Sequence, residues 1–332
     1  MNKTFKISSC RDSQRISNIL MIAVVLIGSI VGNGIICLLL IRFKTLRSVP
    51  NLLIANLAVV NILDALTNMP LFILWYICKV PPLKGRSISW TVISWYVLFL
   101  YLMVFNLTLL AMDRYGAIVH GFRYHVWKTK NKAKVAVLVV WVLAALYTYG
   151  LFTLGLDIDL GDAPVLLYRM TYLKTFGRHF IIPGILIPFM IMLILGLAVC
   201  VTVRNHRKRF STFFAVKIRI ENDVKTAKTI GLTVLAYFCM NVIPMLLHNI
   251  LRRHGSWPHF LAFFLMKLNS MVNPIIYALK APRLRRALAL LLKEPRGKSE
   301  PNMNSKILNN LSSTVSNLTL KTEEIYIEDT KL

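Results

Sequence analysis

The chain has 332 residues, 56% of them hydrophobic and only 16% charged, which excludes an ordinary soluble domain and with it most cytosolic enzymes. Its 40 Lys and Arg against 14 Asp and Glu give a net charge of +26, a total that on its own fits a nucleic-acid binder. The basic residues lie in short clusters between long apolar runs, so the implied partner is the lipid bilayer and not nucleic acid.

The first 15 residues are polar. They hold no apolar region with a cleavage site, so no removable signal peptide is expected and the first span targets the chain. Asn2-Lys3-Thr4 is a sequon for glycosylation on this segment, although such tripeptides are often unused. Seven apolar stretches follow: Ile19 to Ile41, Asn51 to Cys78, Ile88 to Met112, Val135 to Leu156, Phe180 to Val203, Thr229 to Leu251 and Phe260 to Leu279. Each reaches the roughly 20 residues that a membrane-spanning helix needs. Segments this long and this rich in Leu, Ile and Val satisfy their backbone in hydrocarbon as helices, not as barrel strands. The predicted fold class is an all-α membrane protein, a seven-transmembrane helix bundle.

Four basic clusters share one side of the membrane: Arg42 to Arg47, Arg114 to Lys134, Arg204 to Lys228 and Lys280 to Arg286. Together they hold 21 Lys and Arg against 12 on the other side. The richer side is expected to be cytoplasmic, at the plasma membrane, with an extracellular N-terminus and a cytoplasmic C-terminus. Among the five cysteines only Cys10 and Cys78 are placed to meet on the oxidising side, and the sequence does not decide whether they do. After the last span, Leu284, Leu288, Leu291 and Leu292 recur at helical spacing while Arg283, Arg285 and Arg286 fall between them. This predicts a short amphipathic helix on the inner leaflet. The expected organisation is a short extracellular segment over 1–15, a membrane domain over 16–281, the amphipathic helix over 282–292 and a disordered tail over 293–332.

Seven spans alone leave receptor, transporter and light-driven pump open. The first span carries Gly32-Asn33, the second Asn56-Leu57-Ala58, and the third ends in Asp113-Arg114-Tyr115. Trp141 lies in the fourth, Pro188 in the fifth, Phe238 and Pro244 in the sixth, and Asn273-Pro274-Ile275-Ile276-Tyr277 in the seventh. In this order, each in its own span, these motifs resemble the rhodopsin-like family of G-protein-coupled receptors over about residues 16 to 292. The resemblance implies a receptor that passes a stimulus to heterotrimeric G proteins by helix rearrangement, with Arg114 and Tyr277 stabilising the open state. It gives Asp113, Arg114, Tyr115, Asn273, Pro274, Tyr277, Phe238 and Pro244 as activation residues. Phe122, an apolar residue of the second inner loop, is a candidate G-protein anchor, and contact with lipid headgroups is the alternative.

The chain departs from that family at several positions. Asn61 stands where an Asp usually holds sodium, and Asn241-Val242-Ile243-Pro244 replaces Cys-Trp-x-Pro. Ser89 replaces the disulfide cysteine, Gly196 a tyrosine, and Gly121 the frequent proline of the second inner loop. Tyr96 replaces the aspartate of aminergic receptors, so a protonated monoamine finds no counter-charge there. Gly196 and Val242 keep a non-signalling decoy receptor open as an alternative.

Lys267 lies six residues before Asn273, the spacing at which opsins carry their retinal-binding lysine. A charge within a span is costly and marks a functional site by default. Val92 occupies the usual third-helix carboxylate position, the acids Asp157, Asp159 and Asp162 lie near the start of the second outer loop, and the acid left within the spans is Asp64. Lys267 therefore has three readings: an ion pair with Asp64, an anchor for an anionic ligand, or a Schiff base with retinal. Retinal is the one cofactor that the sequence allows, and no metal-ligand cluster is present. Trp95, Tyr96, Met245, His248 and Asn249 are expected to line the ligand pocket, with bundle packing as their alternative role. The outer segments carry a net charge of about +8, which steers anionic ligands toward the pocket mouth. No carboxylate relay runs along the third span, no internal repeat is evident, and no nucleophile sits beside a base. Pump, transporter and enzyme are thus disfavoured.

Overall fold

The computed structural model describes residues 13–77, 86–156, 184–209, 224, 228, 231–244 and 257–293. The sequon at Asn2, the cysteines Cys10 and Cys78, and the pocket candidates Met245, His248 and Asn249 lie outside the described residues, as does the side chain of Phe122. The described residues form helices and connecting turns, with no strand among them.

In chain order the helices are α1 (Ser13–Arg42), α2 (Val49–Phe72), α3 (Arg86–Val119), α4 (Gly121–Trp127), α5 (Lys130–Leu156), α6 (Ile187–Arg209), α7 (Gly231–Asn241), α8 (Trp257–Lys280) and α9 (Pro282–Lys293). Six of them are long and apolar enough to cross a membrane, and α7 is the described part of the sixth apolar stretch. The architecture is a seven-transmembrane bundle with two short helices, α4 and α9, at one end. Ile16, Leu20, Val24, Ile27 and Val31 of α1 stay exposed on one stripe of that helix. In a bilayer such a stripe faces acyl chains.

The helix α3 is the central rod. More than half of its apolar window is buried, against 17% for α5. It is also longer than its apolar stretch predicts. At 34 residues and about 1.5 Å per residue it outruns a hydrocarbon core of about 30 Å, so Asp113 and Arg114 lie within the helix and not beyond it. The turn from α3 into α4 occurs at Gly121, whose φ of +43° suits glycine and is closed to proline. The glycine found where the family often has proline thus belongs to a turn of different shape.

The largest apolar core joins Ile36 and Leu40 of α1, Leu53 and Leu57 of α2, and Leu107 and Leu110 of α3 to Tyr237 and Tyr277. Leu284 and Ala287 of α9 are buried in the same core, whereas Leu292 is 74% exposed. The amphipathic helix therefore seats its first turns against the bundle and leaves its end free for lipid.

Prolines inside spans remove a backbone donor, and in hydrocarbon the freed carbonyl must find another. At Pro274 of α8 the unpaired carbonyl is that of Ser270, four residues earlier, and the Asn33 amide of α1 donates to it at 3.0 Å. Gly32 makes this approach feasible. A Cβ there would lie 3.0 Å from the Pro274 ring, tighter than ordinary contact. Near Pro70 and Pro244 the helices widen into π-turns, over Ile73–Ile77 and Phe238–Val242.

Gly32→Leu is expected to part α1 from α8 and lower the melting temperature of the purified protein by several degrees. Gly34→Ala, where an added Cβ meets nothing within 4 Å, is expected to leave it unchanged.

Candidate functional site

Asp64 lies one helical turn from Asn61 on α2, and α8 brings Lys267 to it. The ammonium Nζ donates to both carboxylate oxygens, at 2.7 and 2.9 Å. Asn68, four residues on along α2, donates to the Asp64 Oδ1 at 2.6 Å. Both ionic residues are buried, Lys267 at 5% and Asp64 at 1% exposure. Their separate desolvation penalties are of several kcal/mol each, and close two-point pairing offsets them. The same ammonium lies 4.9 Å from the centre of the Tyr96 ring and 5.3 Å from that of Phe263. Phe72 stacks on Phe263 with centroids 3.4 Å apart. The result is an ammonium held by an anion on one side and by aromatic faces on others.

Of the third-span pair expected in the pocket, only Tyr96 meets this site. Its hydroxyl donates to the Met266 sulfur at 3.2 Å. Trp95 is 45% exposed and stacks on Phe99 instead. Adjacent helical residues point about 100° apart, so Trp95 turns toward lipid when Tyr96 faces the bundle.

A layer of amides lies between α1, α2 and α8. Asn61 donates to the Asn33 Oδ1 at 3.2 Å, and Asn269 donates to the Met103 sulfur at 3.1 Å. The Oδ1 atoms of Asn61 and Asn269 and both amide atoms of Asn273 are buried and find no partner among the described residues. Such atoms suit bridging water. Asn61 puts an amide where a carboxylate would attract sodium, and the layer is neutral. A second amide group ties three helices: Asn56 of α2 donates to Asn106 of α3, and the Trp141 indole of α5 donates to Asn56 at 3.1 Å.

At the other end of α3, Asp113 collects three partners. The Arg114 Nε donates to it at 2.8 Å and Nη2 also reaches the same oxygen. Lys128 pairs with the other oxygen at 2.7 Å, and the Tyr124 hydroxyl donates to that oxygen at 3.2 Å. Burial and the neighbouring Asp113 carboxylate push the Tyr124 phenol well above its ordinary value, so it remains a proton donor at physiological pH. The Tyr124 ring rests on Gly116, where a Cβ would lie 2.5 Å from it. Sequence reasoning did not find Lys128 and Tyr124. Their signal was a spacing of four residues on a short basic loop, and the Lys128 N–H, at the end of α4, still bonds to the Tyr124 carbonyl.

The remaining activation residues are separate from both charged centres. Tyr115 meets His120 edge-on at 5.6 Å, Phe238 stacks on Phe189 at 4.9 Å, Tyr277 is buried in the main core, and Pro244 is buried beyond the π-turn.

A family model described as "7 transmembrane receptor (rhodopsin family)" matches residues 32–277. The chain belongs to that family. Trace amine-associated receptor 1 of Mus musculus is 25% identical over 311 residues, covering 82% of this chain and 87% of that protein. Trace amine-associated receptor 6 of Homo sapiens is 25% identical over 295 residues, covering 80% of this chain and 81% of that one. Trace amine-associated receptor 13c of Danio rerio is 25% identical over 297 residues, covering 80% and 82%. The protein is a G-protein-coupled receptor that spans the membrane several times, and its family is not enzymatic. Such a receptor couples to a G protein and takes a small-molecule ligand.

Removing one member of the receptor's buried pair strands the other. Lys267→Met and Asp64→Asn are each expected to cost about 3–5 kcal/mol, and the double variant to recover most of that loss. Thermal or chemical denaturation of the four proteins as a double-mutant cycle measures it, and additive losses would refute a direct pair.

Proposed function

We propose that this receptor sits in the plasma membrane with its N-terminus outside. A small ligand reaching the outer half of the bundle would then act on the Lys267 and Asp64 pair, and the inner end of α3 would release a G-protein site. The observation that carries this reading is the triple grip on Asp113 by Arg114, Lys128 and Tyr124. An Arg engaged within its own helix end is a resting arrangement, because the guanidinium fork must exchange partners before it can serve another surface. A ligand that binds the rearranged state better shifts the population toward it. Basic residues around Lys128, Lys130, Lys132 and Lys134 support an inner-leaflet location for this end.

Lys267 is read as one half of an ion pair and not as an aldehyde anchor. What supports this is the occupation of its ammonium by both oxygens of Asp64, with Tyr96 and Phe263 packed beside it. A lysine whose Nζ already donates to both oxygens of one carboxylate is engaged, and the pair must open before that nitrogen can meet an aldehyde. The relatives' names point to amines. In this chain Tyr96 offers no carboxylate to an amine, and Asp64 is already neutralised from within.

Nucleotide exchange on a purified heterotrimer is expected to need Arg114: Arg114→Ala should abolish receptor-dependent exchange. Lys128→Ala, which loosens the grip on Asp113, should raise basal exchange severalfold. Exchange indifferent to Arg114→Ala would sink the signalling reading and leave the decoy receptor. A second measurement addresses the chromophore. Purified protein incubated with the cis isomer of retinal is expected to show no red-shifted absorbance band beyond that of Lys267→Ala treated alike, and a band lost in that variant would restore the opsin reading.

A further inference from the structure

The Lys267 and Asp64 pair is electrically neutral as a unit. Among the described residues the other carboxylate is Asp113, at the inner end of α3. This restricts what can enter. A cationic ligand that takes Asp64 leaves the Lys267 ammonium without an anion, and an anionic ligand that takes Lys267 leaves the Asp64 carboxylate without a cation. Either way a buried charge is stranded in hydrocarbon, and that penalty opposes binding. A ligand carrying both charges strands neither.

We propose that the pair is a two-ended recognition site for a small zwitterion, with the ligand carboxylate on Lys267 and the ligand ammonium on Asp64. The closest chemical class is an α-amino acid with an aromatic side chain. This rests on the reading of the pair as the ligand-facing end of the receptor and deepens it by naming the ligand chemistry. Three features support the match. The two charges of the pair meet at 2.7 Å, so a ligand that takes the place of each for the other needs its ammonium and carboxylate close together, and an α-amino acid holds both on one carbon. Asn68 donates to Asp64 independently of Lys267, so the carboxylate keeps its orientation when partners exchange. The Tyr96 and Phe263 rings already accept an ammonium on their faces, and the stack of Phe263 on Phe72 continues the aromatic wall for a flat ligand group.

The exchange is an opening of one ion pair and formation of two, with no bond made or broken. It separates α8 from α2 at the level of Lys267. The Asn33 bond to Ser270 and the amide layer lie within the next turn of α8, so a shift of that helix reaches them directly.

The test uses the full-length purified receptor and three probes with one phenyl skeleton: phenylalanine as zwitterion, phenethylamine as cation and phenylpropionate as anion. Binding is read by the shift of the melting transition with probe concentration. Phenylalanine is expected to bind at least ~10-fold tighter than either singly charged probe, since each of those strands a charge. Lys267→Met should reverse the preference to phenethylamine, and Asp64→Asn should reverse it to phenylpropionate. The double variant, Lys267→Met with Asp64→Asn, carries no stranded charge, serves as the folding control, and should show none of these preferences. Wild-type protein that binds a singly charged probe as well as phenylalanine, or binds none of the three, overturns the proposal. Failure of exchange to depend on Arg114 would remove the signalling reading while leaving this selectivity intact. Loss of the selectivity would leave Arg114-dependent exchange standing.

Discussion

A polar group inside a bilayer has no water to turn to, and this constraint arranges the interior of the receptor. Its strongest expression is the contact of Lys267 with Asp64, where two charges within spans are tolerable only because each finds the other. The same requirement explains the weaker contacts. Pro274 frees a carbonyl and Asn33 satisfies it. Trp141 of a largely lipid-facing helix directs its indole to Asn56. Apolar packing alone gives little direction in lipid, where a leucine is as comfortable outside the bundle as within it. The polar contacts therefore set which helices are neighbours and in what register.

Seen along α8, these contacts form a ladder. Lys267 holds α2, Asn269 reaches Met103 on α3, the Ser270 carbonyl is held by α1, and Tyr277 closes the core beside α9. Because all of them belong to one helix, a movement of that helix reaches several of them at once. A rotation or translation that opens the charged pair alters the amide layer, which links an event at that pair to the contacts one turn further along α8. The grip on Asp113 at the far end of α3 is built differently, from α3, α4 and the residue after α4.

The seven spans were legible because runs of about 20 apolar residues have few other uses. The meeting of Asp64 and Lys267 was legible for a related reason: charges within the spans are so few that the pairing has few alternatives. What escaped the sequence depended on direction. Trp95 and Tyr96 are both aromatic neighbours on one helix, and only the azimuth of α3 in the bundle decides which one turns inward. That Pro274 strands a carbonyl is evident from its chemistry, but that Asn33 supplies the donor depends on how α1 crosses α8. Lys128 and Tyr124 escaped because a seven-residue helix such as α4 takes its direction from what it packs on, here Gly116, and not from its own propensity.

The distance along the chain between the paired charges has a consequence for synthesis. Asp64 precedes Lys267 by 203 residues, so the second helix leaves the ribosome and meets the insertion machinery long before its partner exists. Until the seventh helix arrives, the nascent chain carries a carboxyl group in an apolar segment with only Asn68 to shield it. Arrival of Lys267 converts that exposed liability into a neutral contact. Assembly around this pair therefore waits for the seventh span, and a chain cut before it keeps an uncompensated acid among its apolar helices.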